Sequence, residues 1–97
     1  MSHYILLLNW TDQGIRNVKD TIKRAEAFKS YLEKRGGKLV GVFYTFGHYD
    51  LVLIIELPND EAAMEILLGT GALGNVRTTT LKAFNLEETQ KIIENLK

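Results

Sequence analysis

Residues 45–57, Thr45-Phe46-Gly47-His48-Tyr49-Asp50-Leu51-Val52-Leu53-Ile54-Ile55-Glu56-Leu57, decide the fold. A polar corner opens into an aliphatic run in which both parities are apolar: Leu51, Leu53, Ile55 and Leu57 on one, Val52 and Ile54 on the other. The run predicts a strand over Leu51–Leu57, and Lys38–Phe46 predicts its neighbour. Gly47 to Asp50 then fall at or beside a hairpin. Glycine tolerates the positive φ such a turn needs, and an aspartate can satisfy turn amides. An imidazole and a phenol are held together at that corner of the sheet.

Working outward, His3–Trp10 predicts a first strand, again aliphatic on both parities. Ile15–Lys19 suits a short helical turn. Thr21 is a reasonable N-cap for a helix to about Arg35, with Ile22, Ala25, Phe28 and Leu32 on its buried stripe. Gly36-Gly37 stops it. Downstream of the corner, Pro58-Asn59-Asp60 ends the third strand and caps a helix over about Asp60–Leu68, with Ala63, Ile66 and Leu67 inward. Gly69–Asn75 reads as a glycine-rich loop and Val76–Phe84 as a fourth strand. Asn85 and Glu88 form a capping-box pair ahead of a terminal helix with Thr89, Ile92, Ile93 and Leu96 on one face. The order β-α-β-β-α-β with an extra C-terminal helix is the α+β, ferredoxin-like arrangement, in one domain over residues 1–97.

Two helices cover only one face of such a sheet. Strands apolar on both parities want cover on the other as well, because each wet Leu, Ile or Val forfeits about 1.5–3 kcal/mol. The expectation is a homodimer whose sheets pack face to face, a dimeric α/β barrel. A monomer whose tail helix covers the sheet is the alternative.

Composition narrows the function classes. Twelve basic residues balance twelve acidic ones, so the field that drives nonspecific nucleic-acid binding is missing. The charge is nonetheless segregated: the helix between Arg16 and Lys38 is basic, whereas Leu39 to Val76 holds no Lys or Arg. That pattern fits two solvated helical faces of opposite charge, or an anion-binding first helix. With no cysteine, disulfides and thiolate chemistry are excluded. No apolar run is long enough to cross a membrane as a helix, and Met-Ser-His leads straight into a strand-like run, so the expected location is cytoplasmic. The Asn9-Trp10-Thr11 sequon then has no role.

Gly69-Thr70-Gly71-Ala72-Leu73-Gly74 matches a dinucleotide fingerprint in letters alone, since it follows a helix and precedes a strand, the reverse of what pyrophosphate binding requires. His48, Asp50 and the distant His3 and Glu56 do not supply the three or four converging ligands of a metal site. No cofactor and no metal are expected. An RNA-recognition module has this topology, but it needs aromatics on its third strand, where this chain has none. Arg77 is the best candidate anchor for an anionic ligand, with an ion pair as its other reading, and Arg24 carries the same two readings.

Tyr4, Trp10-Thr11-Asp12-Gln13-Gly14, Lys23-Arg24-Ala25-Glu26, Gly36-Gly37, Gly47-x-Tyr49-Asp50, Glu56-x-Pro58 and Leu73-Gly74-Asn75-Val76-Arg77-Thr78-Thr79-Thr80 together resemble the GYD domain family, named for its Gly/Tyr/Asp corner. Ile22 departs from the pattern, standing where a proline is expected. The resemblance implies a dimeric α/β barrel, a group that includes cofactor-free monooxygenases, haem enzymes, isomerases and ligand sensors. Residues 38–84 also resemble, more weakly, the effector domain of leucine-responsive regulators. That likeness implies that His48, Tyr49 and Asp50 border a small-ligand pocket, in a stand-alone sensor without a DNA-binding helix-turn-helix.

Three readings follow. The first is a cofactor-free, small-molecule-binding homodimer with its pocket at or near the sheet–sheet interface, by Tyr44, His48, Tyr49, Asp50 and Arg77. The second is a cofactor-independent, monooxygenase- or isomerase-like enzyme with His48 or Asp50 as general base and Arg77 as charge stabiliser. The third is a structural or interaction protein without a ligand. No nucleic-acid or membrane partner is expected.

Overall fold

Strict alternation along the first strand sets the layers. The computed structural model describes all residues from Met1 to Lys97. In chain order it comprises β1 (Ser2–Trp10), α1 (Asp12–Arg16), a single 3-10 turn (Val18–Asp20), α2 (Thr21–Lys34), β2 (Lys38–Tyr44), β3 (Leu51–Leu57), α3 (Asp60–Ala72), β4 (Val76–Ala83) and α4 (Leu86–Glu94). The strands form one sheet in the order β2-β3-β1-β4, every neighbouring pair antiparallel. This is the ferredoxin-like arrangement expected from the element order.

Tyr4, Leu6 and Leu8 of β1 pair in register with Ile55, Leu53 and Leu51 of β3 and point to the helix side, where all are buried. Leu57, Val76 and the helix residues Leu32, Ala63 and Ile66 complete that core. The opposite parity, Ile5, Leu7, Val52 and Ile54, is only half-buried. Beside it on the same open face, Phe43 of β2 is 57% exposed, and Leu81 of β4 is also exposed. A bulge between Leu39 and Gly41 lets Leu39, Val42 and Tyr44 all face the helices despite their changed parity.

Several boundaries differ from the sequence expectation for local reasons. β2 ends at Tyr44 rather than Phe46, because the Thr45 hydroxyl turns back to donate to the Tyr49 carbonyl (2.6 Å) and the Thr45 amide to that of Asp50 (2.8 Å). Phe46 is left fully exposed beside Gly47 at φ 122°. Thr21 lies inside α2 instead of capping it, and its hydroxyl shares a hydrogen bond with that of Tyr44 (2.9 Å). Along α2 the expected stripe is graded: Leu32 is fully buried, Phe28 and Ala25 half-buried, and Ile22 59% exposed. The N-terminal half of α2 is thus less covered than its C-terminal half. α3 continues through Gly69 and Gly71, and the stop is Gly74, at φ 83° after the cap residue Leu73. α4 carries the expected capping box, yet none of its residues is buried.

The end of β1 is tied down by side chains. The Asp50 carboxylate accepts from the Trp10 amide (2.9 Å) while the Asp50 amide donates to the Leu8 carbonyl (2.8 Å). A side-chain oxygen thus supplies one further rung of the β1–β3 ladder. Beyond it, Thr11 caps α1 by accepting from the Gly14 amide (3.0 Å) and donates its own proton to the Gly74 carbonyl (2.5 Å). Gln13 donates to the Leu73 carbonyl and to Asn75 Oδ1, both at 2.9 Å. Gly14 is buried in this clasp, and a Cβ there would lie 1.9 Å from the Asn75 carbonyl oxygen. Gly14→Ala is expected to lower stability by at least about 2 kcal/mol, since backbone rather than a mobile side chain must move. Urea unfolding of the two proteins checks this. A loss under about 0.5 kcal/mol, the range of neutral surface changes, would contradict the clasp.

Candidate functional site

Between the less covered half of α2 and the sheet lies a half-open cavity of about 400 Å³, within the size range of small-molecule sites. Its floor is the sheet, through Leu8, Val42, Leu51 and Leu53, and its wall is α2, through Ala25 and Phe28. The C-terminal end of α3 and Asn75 close the side nearest the clasp. Thirteen of the eighteen lining residues are hydrophobic, and Arg24 is the one charged residue among them.

The polar groups here are few and mostly committed. The Tyr44–Thr21 hydroxyl pair sits at the rim. Asn75 Oδ1 is taken by Gln13. Tyr31 donates weakly to the Glu65 carbonyl (3.3 Å), and its ring is stacked by the Arg35 guanidinium, 4.1 Å from the centroid, which also pairs with Glu65 at 2.7 Å. Arg24 donates through Nη1 to the Asn17 carbonyl (2.9 Å) and lies 5.8 Å from the centroid of the Trp10 ring.

Of the five residues expected to bind a ligand, Tyr44 alone lines this cavity. His48 is exposed in the β2–β3 connection, and Tyr49, half-buried, lends its carbonyl to Thr45. Asp50 holds the Trp10 amide, so one oxygen of the candidate general base is engaged in the backbone ladder. Arg77 pairs in register with Asn9, on the sheet face away from the helices, and is exposed. Within one chain, Tyr44 and Arg77 stand on opposite sides of the sheet. No three His, Asp or Glu side chains converge as metal ligands would.

Sequence reasoning missed a polar cluster at the other end of β1. Buried Tyr4 donates to Asp60 Oδ1 (2.5 Å), and Lys82 Nζ reaches both oxygens of Asp60 at 2.9 and 3.1 Å. Burial, helped by Asp60, raises the Tyr4 phenol above its ordinary value. The Tyr4 hydrogen bond, then Lys82, holds the Asp60 carboxyl below the aspartate range, and Asp60 in turn raises Lys82. The register pairing Tyr4 with Lys82 was the available signal; in the sequence Asp60 reads only as the start of a helix. The cluster pins the first turn of α3 to β1 and β4.

A model of the GYD domain matches residues 4–93. The crystal structure of TTHA0845 from Thermus thermophilus superimposes with a TM-score of 0.55 and 24% sequence identity, covering 88% of this chain and 95% of that one. At that identity the likeness is one of fold. No curated protein matches the chain.

Two outcomes follow from the engaged carboxylates. Asp50→Ala orphans the half-buried Trp10 amide and is expected to cost about 1–3 kcal/mol, measured by urea unfolding; an unchanged midpoint would return Asp50 to the list of free acids. Asp60, lower in the folded chain than in the unfolded one, stabilises fully above the ordinary aspartate value of about 3.9 and loses that contribution as pH falls through its lowered folded value. The stability gap between the wild-type chain and Asp60→Asn is therefore expected to narrow on acidification from pH 5. A gap that widens below pH 4 would refute the assignment.

Proposed function

We propose, from the premise that this chain belongs to the GYD domain family, that it is a small-molecule-binding protein acting as a homodimer. The observation that carries the binding half is the 400 Å³ apolar cavity between α2 and the sheet. A half-open cleft of this size, walled by aliphatic and aromatic side chains, suits an apolar guest. The site belongs on the helix side rather than between paired sheets, because Tyr44, the only expected ligand residue at a cavity, lines this one. His48, Tyr49, Asp50 and Arg77 then serve the corner and the open face.

The dimer half rests on that open face. Ile5, Leu7, Val52 and Ile54 form an apolar strip across the two central strands, flanked by exposed Phe43 and Leu81. Patches of this kind on small domains mark association surfaces, and a second copy presents a matching strip by symmetry. Ile92 and Ile93 of α4, with Leu96 just beyond it, are likewise exposed in the single chain and are further candidates for cover by a second copy. A cytoplasmic setting fits a chain without cysteine. No helix is long and apolar enough to cross a membrane.

Light scattering is expected to give twice the 11.0 kDa chain mass, and Val52→Lys, a charge in the middle of the strip, to return the single-chain mass. A wild-type monomer at 0.1 mM would defeat the dimer. For the cavity, the uncharged fluorophore N-phenyl-1-naphthylamine is expected to bind, and Ala25→Leu, which fills the wall, to weaken it about tenfold or more. Binding that ignores the substitution would place the guest elsewhere.

A further inference from the structure

Arg24 is anomalous among the cavity residues. It is the only charged side chain in the lining, and it takes part in none of the ion pairs of the chain, which join His3 to Glu56 and Glu88, Arg35 to Glu65, Lys82 to Asp60, and Lys91 to Glu87. Its Nη1 is spent on the Asn17 carbonyl, but Nη2 is buried and has no hydrogen-bond partner. Buried donors are nearly always satisfied, and a buried cationic donor left alone costs more than a neutral one. Arg35, at the C-cap of α2 about three turns further along nearly the same face, shows the usual solution in its pairing with Glu65. Arg24 has no such carboxylate.

We propose that Arg24 is the anchor for the acidic head of a ligand, and that the cavity takes a monoanionic carboxylic acid with an apolar body. This inference rests on the cavity being the binding site. The chemistry follows from the lining. A guanidinium presents planar donors that match a carboxylate, and the aliphatic and aromatic walls leave the rest of the ligand no polar partner to prefer. One unpaired cation balances one negative charge; a dianionic phosphate would bring a second charge into an apolar space with nothing to meet it. Nη2 has almost no accessible surface in the single chain, so the guanidinium must turn toward the cavity to meet the carboxylate, a side-chain rearrangement of the kind common on binding.

The test compares ligands of one shape and different heads: octanoate, 1-octanol and octyl phosphate, titrated calorimetrically against the wild-type chain and against Arg24→Gln at pH 7. The expected result is that octanoate binds the wild type about tenfold or more tightly than octanol, with octyl phosphate weaker than octanoate. In Arg24→Gln the preference for octanoate over octanol should vanish while octanol binds within about twofold of wild type, which also reports that the variant is folded. Arg24→Lys, which keeps the charge but not the planar fork, should retain part of the preference if Arg24→Gln does not fold. Equal binding of octanoate and octanol by the wild type overturns the anchor but leaves the cavity as the site. So does a preference that survives Arg24→Gln, or tighter binding of octyl phosphate. If neither octanoate nor octanol binds, the cavity reading falls and the anchor with it.

Discussion

The fold turns on how the first strand ends. Past Leu8, β1 has only half a neighbour, and the chain must leave the sheet, start a helix and return across α2. Asp50 supplies the missing acceptor for Trp10, and Thr11, Gln13 and Gly14 lock onto Leu73, Gly74 and Asn75. Three segments far apart in sequence are thereby fixed at one point: the β1–α1 junction, the β2–β3 corner and the α3–β4 connection. The individual hydrogen bonds are modest, each about 1 kcal/mol net. Their joint effect is geometric, because a buried glycine against a backbone carbonyl leaves no slack.

That lock also borders the cavity. It holds the end of α3 and the start of β4 near Trp10, while α2 is seated on the sheet at its other end, where Leu32 is fully buried and a Cβ on Gly37 would lie 2.6 Å from Leu57. The cavity lies beneath the less covered half of α2, with Leu51 and Leu53 on its floor. Of the motif residues that mark the family, Trp10, Arg24, Leu73, Asn75 and Val76 line it.

Strand order, helix number and the double-sided grease of β1 and β3 were legible because periodicity survives in any environment. The capping box at Asn85 and Glu88 was equally plain, being local. What the sequence hid was three-dimensional. The Gly-x-Tyr-Asp corner looked like chemistry because His48, Tyr49 and Asp50 are adjacent; in space Asp50 turns inward to the Trp10 amide while His48 faces solvent. Tyr44 and Arg77 looked like partners until the register placed them on opposite faces. Arg24 could be read from the sequence as an anion anchor or an ion-pair partner, and nothing in its basic stretch showed that it pairs with no carboxylate and that its Nη2 is covered. Gly69 and Gly71 read as a loop because glycine is a poor helix former, yet α3 runs through both, and at Gly69 the Tyr31 hydroxyl packs where a Cβ would stand.

The graded burial of α2 has a mechanical side. Anchored at Leu32 and Gly37 and joined near its far end by the Thr21–Tyr44 and Arg24–Asn17 hydrogen bonds, the helix is a cantilever over the cavity. At 1.5 Å per residue, fourteen residues make a lever of about 21 Å, so a tilt of about 5° at the root carries the tip about 2 Å. Such a swing would widen or narrow the space beneath the helix without disturbing the side chains at the fulcrum.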